Sequence, residues 1–421
     1  MFKKRMLSIL TISSLVFITG CGTTSNSKTT NSTPPISNDV KFGEDDYTKI
    51  ITATNELGFE LVSEVEEDEH NNIFISPASL FMALSMVYNG ADGKTKEEIA
   101  KTMHLEGMEA DELNQANASW LTKLMKDNDQ LQLNIANSIW LNEKFHFQDD
   151  FAKNNKDHFN AEIEEIDIAD SDSAKRINDW VKKSTNQKID EIVEASLDPD
   201  LVTLLINAIY FKGTWTHEFE KDLTKNKAFH LVDGTTKDVP LMSLNEKLAY
   251  MENEQFQAVQ LPYGDGEMSM KVFLPKEDTN LEEFKKLLTN ENWNAWNKEF
   301  NEREGTLLLP KFQLEYETLL NDALKKLGMG NAFEDNADFS KMIIEGDPLK
   351  ISKVKQKTFI DVNEEGTEAA AVTSIEVVLA SAPIDDSFIM EVNRPFFFTI
   401  TDDETDAILF MGSISNPQDG K

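Results

Sequence analysis

Glu364–Glu365–Gly366–Thr367–Glu368–Ala369–Ala370–Ala371–Val372–Thr373 decides the reading of this 421-residue chain. Its alanines favour a helix when taken alone. Read with a period of two, however, the segment alternates. Thr367, Ala369, Ala371, Thr373, Ile375, Val377 and Leu379 share one face, small side chains first and larger ones later. Glu368, Ala370, Val372, Ser374, Glu376, Val378 and Ala380 share the other, which carries both glutamates. This is the pattern of a half-buried strand, with one face suited to a core and the other to water. No proline interrupts it before Pro383, where Ser381–Ala382–Pro383 and Asp385–Asp386–Ser387 read as an exposed loop. A segment able to be both loop and strand implies a conformational switch, with Gly366 as its pivot.

Outward from that stretch, the second half of the chain reads mostly as strand. The candidates are Leu204–Phe211, Gln257–Leu261, Ser269–Leu274, Gly305–Phe312 and Phe396–Thr401, with a helix over Leu319–Leu327 that stops at Gly328. The first half is richer in helix. Ser76–Pro77 combines a capping serine with proline at the first helical position; Leu80, Leu84 and Val87 then line one face, and Asn89–Gly90 ends the run. Thr95–Lys96–Glu97–Glu98 has the form of a capping box opening the next helix. Leu131–Leu141 alternates as a strand. Helices mixed with long, mainly antiparallel strands predict an α+β fold.

Composition excludes several partners. With 75 acidic and 41 basic residues the net charge is −34, and no basic cluster stands out to attract nucleic acid or an acidic glycan such as heparin. The N-terminus departs from that acidity. Lys3, Lys4 and Arg5 precede an apolar stretch from Met6 to Ile18, too short to span a bilayer, which reads as a secretory signal. It ends in Ile18–Thr19–Gly20–Cys21, which resembles the bacterial lipoprotein processing box. That resemblance implies lipidation of Cys21 and a position on the extracytoplasmic face of a bacterial cell membrane. Cys21 is the single cysteine, so neither an intrachain disulfide nor a cysteine-based metal site is available. From Gly22 to about Val40 the chain is rich in Thr, Ser, Asn and Pro, the composition of a flexible tether. The expected organisation is a signal over residues 1–20, a lipidated cysteine and tether over 21–43, and one domain over 44–421, with an exposed loop at about 364–392.

From Asn72 to Pro417 the domain resembles the serpin family. The matching segments, in the family's order, begin with Asn72–Ile73–Phe74–Ile75–Ser76–Pro77–Ala78–Ser79 and Leu205–Trp215. Leu309–Pro310–Lys311–Phe312, Ala337–Asp338–Phe339–Ser340 and Ile351–Ser352–Lys353–Val354 follow. The hinge Asn363–Ala371, then Asn393–Arg394–Pro395–Phe396 and Phe410–Met411–Gly412, complete the set. The resemblance implies a monomer with helices around three mainly antiparallel sheets and an exposed reactive-centre loop. It also implies inhibition of a serine protease by loop insertion, without cofactor or metal. The protease cuts the loop and is held as an acyl ester, and the freed limb enters the central sheet as a new strand. From Thr367 to Ala380 that limb is about 14 residues, roughly 45–50 Å when extended.

The hinge meets the demands of insertion. Thr367, Ala369 and Ala371 are small and uncharged on the entering face, and Glu364, Gly366 and Ala370 complete the segment. By the family's spacing the reactive bond falls at Ala380–Ser381, with Leu379–Ala380 and Ser381–Ala382 as alternatives. These small or aliphatic sites favour an elastase-like or subtilisin-like target, with a chymotrypsin-like enzyme as the alternative at Leu379. Ser76, Ser79 and Asn207 match the family's hydrogen-bonded cluster beneath the sheet, where Gln356 replaces the usual histidine. Trp215 matches the tryptophan at the sheet's upper opening, and Lys311 and Glu364 match a pair at its top. Gln187 stands where the family commonly has glycine.

Two other readings compete. An enzyme would need a constellation that the motifs do not supply: histidines 70, 104, 146, 158, 217 and 230 are scattered, with no His-Glu-x-x-His or Gly-x-Ser-x-Gly. Asp335–Phe339 starts like a calcium loop but fails at the third ligand position. The other is a cell-surface binding protein that keeps the scaffold without inhibiting.

Overall fold

The computed structural model describes residues 36–105, 107–125, 130–345, 349–368 and 387–418. The signal, Cys21 and most of the tether lie outside them, as do Ala369, Ala370, Ala371, Leu379, Ala380, Ser381 and Ala382. Residues 36–43, read from sequence as the end of a free tether, contact the domain. Ile36 packs against the core and the Ser37 amide donates to Asp157 O at 3.4 Å.

In chain order the first elements are α1 (Thr48–Val62), β1 (Ile73–Ile75), α2 (Pro77–Tyr88), α3 (Gly93–Thr102) and α4 (Ala110–Leu124). Then come β2 (Leu131–Asn142), α5 (Asp149–Phe159), β3 (Glu162–Ile166), α6 (Ser171–Ser184) and β4 (Thr203–Thr214). The middle is β5 (Lys225–His230), β6 (Thr236–Glu252), β7 (Phe256–Tyr263), β8 (Met268–Pro275), α7 (Leu281–Lys285) and α8 (Asn290–Glu299). The rest is β9 (Asn301–Pro310), β10 (Phe312–Leu319), α9 (Asn321–Lys326), β11 (Lys353–Asn363), β12 (Gly366–Thr367), β13 (Phe388–Glu391), β14 (Phe396–Asp402) and β15 (Ala407–Ile414).

Hydrogen bonding groups these strands into two sheets. One has six strands in the order β10-β11-β12-β4-β2-β3; the other has nine, β1-β15-β14-β8-β7-β6-β9-β13, with β5 on β6. The 17-residue β6 pairs with β5 at one end and β7 at the other, which joins into one sheet what the family resemblance counts as two. The α+β expectation holds.

Local signals explain α2. The Ser76 hydroxyl accepts from the Ser79 amide at 3.2 Å, Pro77 opens the helix and Asn89 closes it. Every residue of α2 is buried, as befits a helix lying under a sheet. The capping box at Thr95 is corrected: α3 starts earlier, at Gly93, and Thr95 is fully buried. Its hydroxyl reaches Asn331 Oδ1 at 2.5 Å and accepts from the Asp338 amide at 2.7 Å, a tertiary use that outcompetes the local cap. The strand expected over Gly305–Phe312 divides at Lys311, where the chain leaves the nine-stranded sheet (β9) and enters the six-stranded one (β10).

The main core lies between the sheets and around α2, and includes Phe74, Phe81, Phe211, Phe398 and Phe410. A smaller one, with Trp140, Ile177, Ile189, Ile206 and Phe359, sits between α6 and the outer face of the six-stranded sheet. Among the described residues no helix is long and apolar enough to cross a membrane, and no group of three His, Cys, Asp or Glu is placed to hold a metal.

Candidate functional site

The centre of the six-stranded sheet is a seam. Over its lower part β11 and β4 pair directly and in parallel, from Lys353–Leu204 up to Phe359–Tyr210. At the top β12 lies between them and runs antiparallel to both: Thr367 is opposite Val362 on one side and Gly213 on the other. The hinge therefore occupies the first two places of a strand position that is closed further down.

Gly366 is required there. A Cβ at this position would lie 2.1 Å from Gly213 O and 2.8 Å from Thr214 Cα, so no side chain fits against β4. Thr367 is fully buried on the core face, and its hydroxyl bonds the Tyr263 hydroxyl at 2.6 Å. Trp215 stacks on Tyr263 with ring centroids 4.4 Å apart and 13° between planes. Its indole donates to Asn363 O at 2.9 Å, and its amide to Glu365 O at 3.0 Å. Burial pushes the Tyr263 phenol up, so it stays neutral beneath the hinge.

Two carboxylates cap this end. Glu364 accepts from Lys311 Nζ and from the Thr224 hydroxyl, both at 2.9 Å. Burial pushes the Glu364 carboxyl up, but Lys311, a backbone amide and Thr224 outweigh it and hold it below the ordinary carboxylate range. Glu365 pairs with Lys221. Glu218 is pushed up, by burial first and then by the charge of Glu365.

Beneath the middle of the seam lies a buried polar cluster. Gln356 and Asn207 face each other across the parallel ladder, with Gln356 Nε2 donating to Asn207 Oδ1 at 2.6 Å. Gln356 also accepts from the Ser76 amide and donates to Ser76 O, each at 3.0 Å. Asn207 Nδ2 donates to the Ser79 hydroxyl and to Asn137 Oδ1, the latter at 2.6 Å, and the Ser76 hydroxyl donates to Leu409 O at 2.7 Å. Glutamine thus bridges α2 and β4 with both ends of its amide.

The outer face of the seam is covered. Asn186 and Gln187 follow α6 with φ of 50° and 65°, the left-handed region that glycine enters without strain. The chain then crosses the sheet. Lys357 Nζ reaches Glu191 O at 2.8 Å and Lys355 Nζ reaches Ile192 O at 2.6 Å. Lys188 forms an ion pair with Glu368. The expectation that Glu368 faces water is corrected: its side chain points away from the core but is only 9% exposed beneath this strap.

Ser76, Ser79, Asn207 and Gln356 thus form one cluster, and Trp215, Lys311, Glu364, Gly366 and Thr367 a second at the top. Sequence reading missed Tyr263, Thr224, Lys221, Asn137 and Lys188. Only Asn137 carried a local signal, a polar residue on the strand face otherwise formed by Leu131, Leu133, Ile135, Ile139 and Leu141.

Comparison with known proteins agrees with this geometry. A family model described as "Serpin (serine protease inhibitor)" matches residues 52–417. Human Serpin B4 is 34% identical over 387 residues, covering 87% of this chain and 98% of that protein. An uncharacterized serpin-like protein of Methanosarcina mazei is 33% identical over 386 residues, covering 88% of each. The native-state crystal structure of tengpin, a thermophilic serpin, matches with a TM-score of 0.82 at 34% identity, over 91% of this chain and 97% of that one. The chain belongs to the serpin family, whose members are mostly inhibitors of serine proteases rather than catalysts.

Proposed function

We propose that this protein inhibits a serine protease as a suicide substrate, by inserting its cleaved loop along the seam. The observation that carries the reading is the register. Thr367 is opposite Val362 and Gly213, and β11 and β4 keep the same offset between them down to Lys353 and Leu204. Continued one residue at a time, Thr373 meets both Gln356 and Asn207, and Glu376 meets both Lys353 and Leu204. Each position of the new strand from Glu368 to Glu376 finds partners on both sides without a bulge. One parallel ladder is exchanged for two antiparallel ones, which are the more stable kind.

In this mechanism the protease serine attacks the carbonyl of the residue before the reactive bond. The peptide bond to the next residue breaks, and the new amine leaves with a proton. The limb ending at the acyl ester then enters the seam before water hydrolyses the ester. Ala380–Ser381 is the proposed bond, with Leu379 and Ala382 marking the alternatives, and the target has an elastase-like or subtilisin-like pocket for a small apolar side chain. Lipidation of Cys21 would hold the inhibitor on the outer face of a bacterial membrane.

Mixing the protein with elastase and with subtilisin tests the proposal. A covalent complex that survives SDS is the expected product. Clean cleavage with no complex would instead select the binding-protein reading. Cys21→Ala is expected to release the protein into the medium; retention of that variant would remove the anchor.

A further inference from the structure

Thr367 is the last residue of β12, although the next positions along the seam have partners waiting. The chain stops there because Glu368 leaves the extended conformation: its φ is 59°, in the left-handed region that residues other than glycine adopt at a cost. Its amide donates to Asp361 O at 2.8 Å, so the backbone is already beside its next partner on β11. The side chain is what is held elsewhere. The Glu368 carboxylate pairs with Lys188, and no other group among the described residues donates a hydrogen bond to it.

Lys188 is fixed independently of the hinge. Its amide donates to Thr185 O at 3.0 Å, and the next amide, of Ile189, donates to the Thr185 hydroxyl at 3.2 Å. Ile189 is fully buried in the core between α6 and the sheet, and Lys188 Nζ lies 5.6 Å from the centre of the Phe359 ring. Continued insertion would place Glu368 between Lys212 on β4 and Asp361 on β11. The carboxylate would then exchange a single lysine for one cation and one like charge. The exchange opposes entry until cleavage frees the downstream limb.

We propose that Lys188 is a positioning residue for inhibition, an anchor that pins Glu368 out of line and so fixes the intact hinge at this depth, against withdrawal as well as against further entry. This rests on reading the hinge as an inserting strand. Hydrogen–deuterium exchange of the intact full-length protein, with no protease present, tests it. In Lys188→Ala and Lys188→Glu the amides of residues 365–368 are expected to exchange about fivefold to tenfold faster, the effect of losing a partly buried ion pair. Lys188→Arg should match the wild type, and the swap Lys188→Glu/Glu368→Lys should restore protection. Unchanged exchange in the single variants overturns the proposal. So does a swap that fails to restore protection while exchange in β2 and β10 shows an intact sheet. Failure of the wild type to trap a protease would instead remove the inhibitor reading and leave this result standing.

Discussion

Replacing Thr367 with arginine is the sharpest perturbation of the face proposed to insert. The native side chain is fully buried, with its hydroxyl 2.6 Å from that of Tyr263 and the Trp215–Tyr263 stack close by. A guanidinium left in that place would be buried beside the Tyr263–Trp215 stack, and burying it costs several kcal/mol after relaxation. Withdrawing the hinge costs less, about 1–3 kcal/mol for a buried hydroxyl left unpaired and its strand pairing lost. The hinge should therefore withdraw, and the arginine must still pass the same place during insertion. A barrier raised by about 2–3 kcal/mol slows entry roughly 30- to 150-fold. In the proposed mechanism entry competes with hydrolysis of the acyl ester, so most encounters should end in cleaved protein and free protease. Titration of elastase or subtilisin activity, with the complex and cleaved bands quantified on SDS gels, measures the partition. Thr367→Val keeps the size without the charge and should stay within about threefold of the wild type. Full inhibition by Thr367→Arg, at an unchanged ratio of inhibitor to protease, would refute both the face assignment and the insertion route.

Gly366→Ala should expel β12, because its Cβ would collide with the Gly213 carbonyl; tryptophan emission, assigned with a Trp215→Phe control, should shift to the red. An unshifted spectrum would show that the close approach is not needed. Glu364 has a depressed folded-state pKa, so its contribution to stability is present above the unfolded carboxylate value and is lost as pH falls through the folded one. Lys311→Ala should raise that folded value and move acid loosening of the top of the sheet to higher pH, read by the same emission; an unchanged acid midpoint would contradict it. Gln356→His should introduce a pH dependence that the glutamine lacks. At this fully buried position the charged imidazolium is disfavoured, so melting temperature should fall as pH drops through about 6.5, with little change above. Parallel pH profiles for the variant and the wild type would count against the closed packing of the cluster.

What could be read in advance was what depends on neighbours in the chain. The Ser76 cap, the buried run of α2 and the strands around Leu131, Gln257, Ser269 and Phe396 follow from periodicity and capping, which act over a few residues. The alternation from Thr367 onward likewise put the threonine on the core face and the glutamate on the other. Thr95 shows the limit: a local capping pattern yielded to hydrogen bonds with Asn331 and Asp338, more than 200 residues away. The division at Lys311 has a similar cause, since nothing local says that a continuous strand pattern must serve two sheets.

The amino-acid order by itself determined which segment can enter a sheet and which of its faces must be small, because side-chain alternation is a property of the extended chain. Only the tertiary structure decided where that segment goes and where it halts. The strand β4, whose offset matches that of the adjacent β11, the tyrosine beneath Thr367 and the lysine that meets Glu368 come from parts of the chain 100 residues or more from the hinge. Hydrogen bonds and ion pairs act over a few ångströms whatever the separation along the chain, so the stopping point could be read only after folding had brought those parts together.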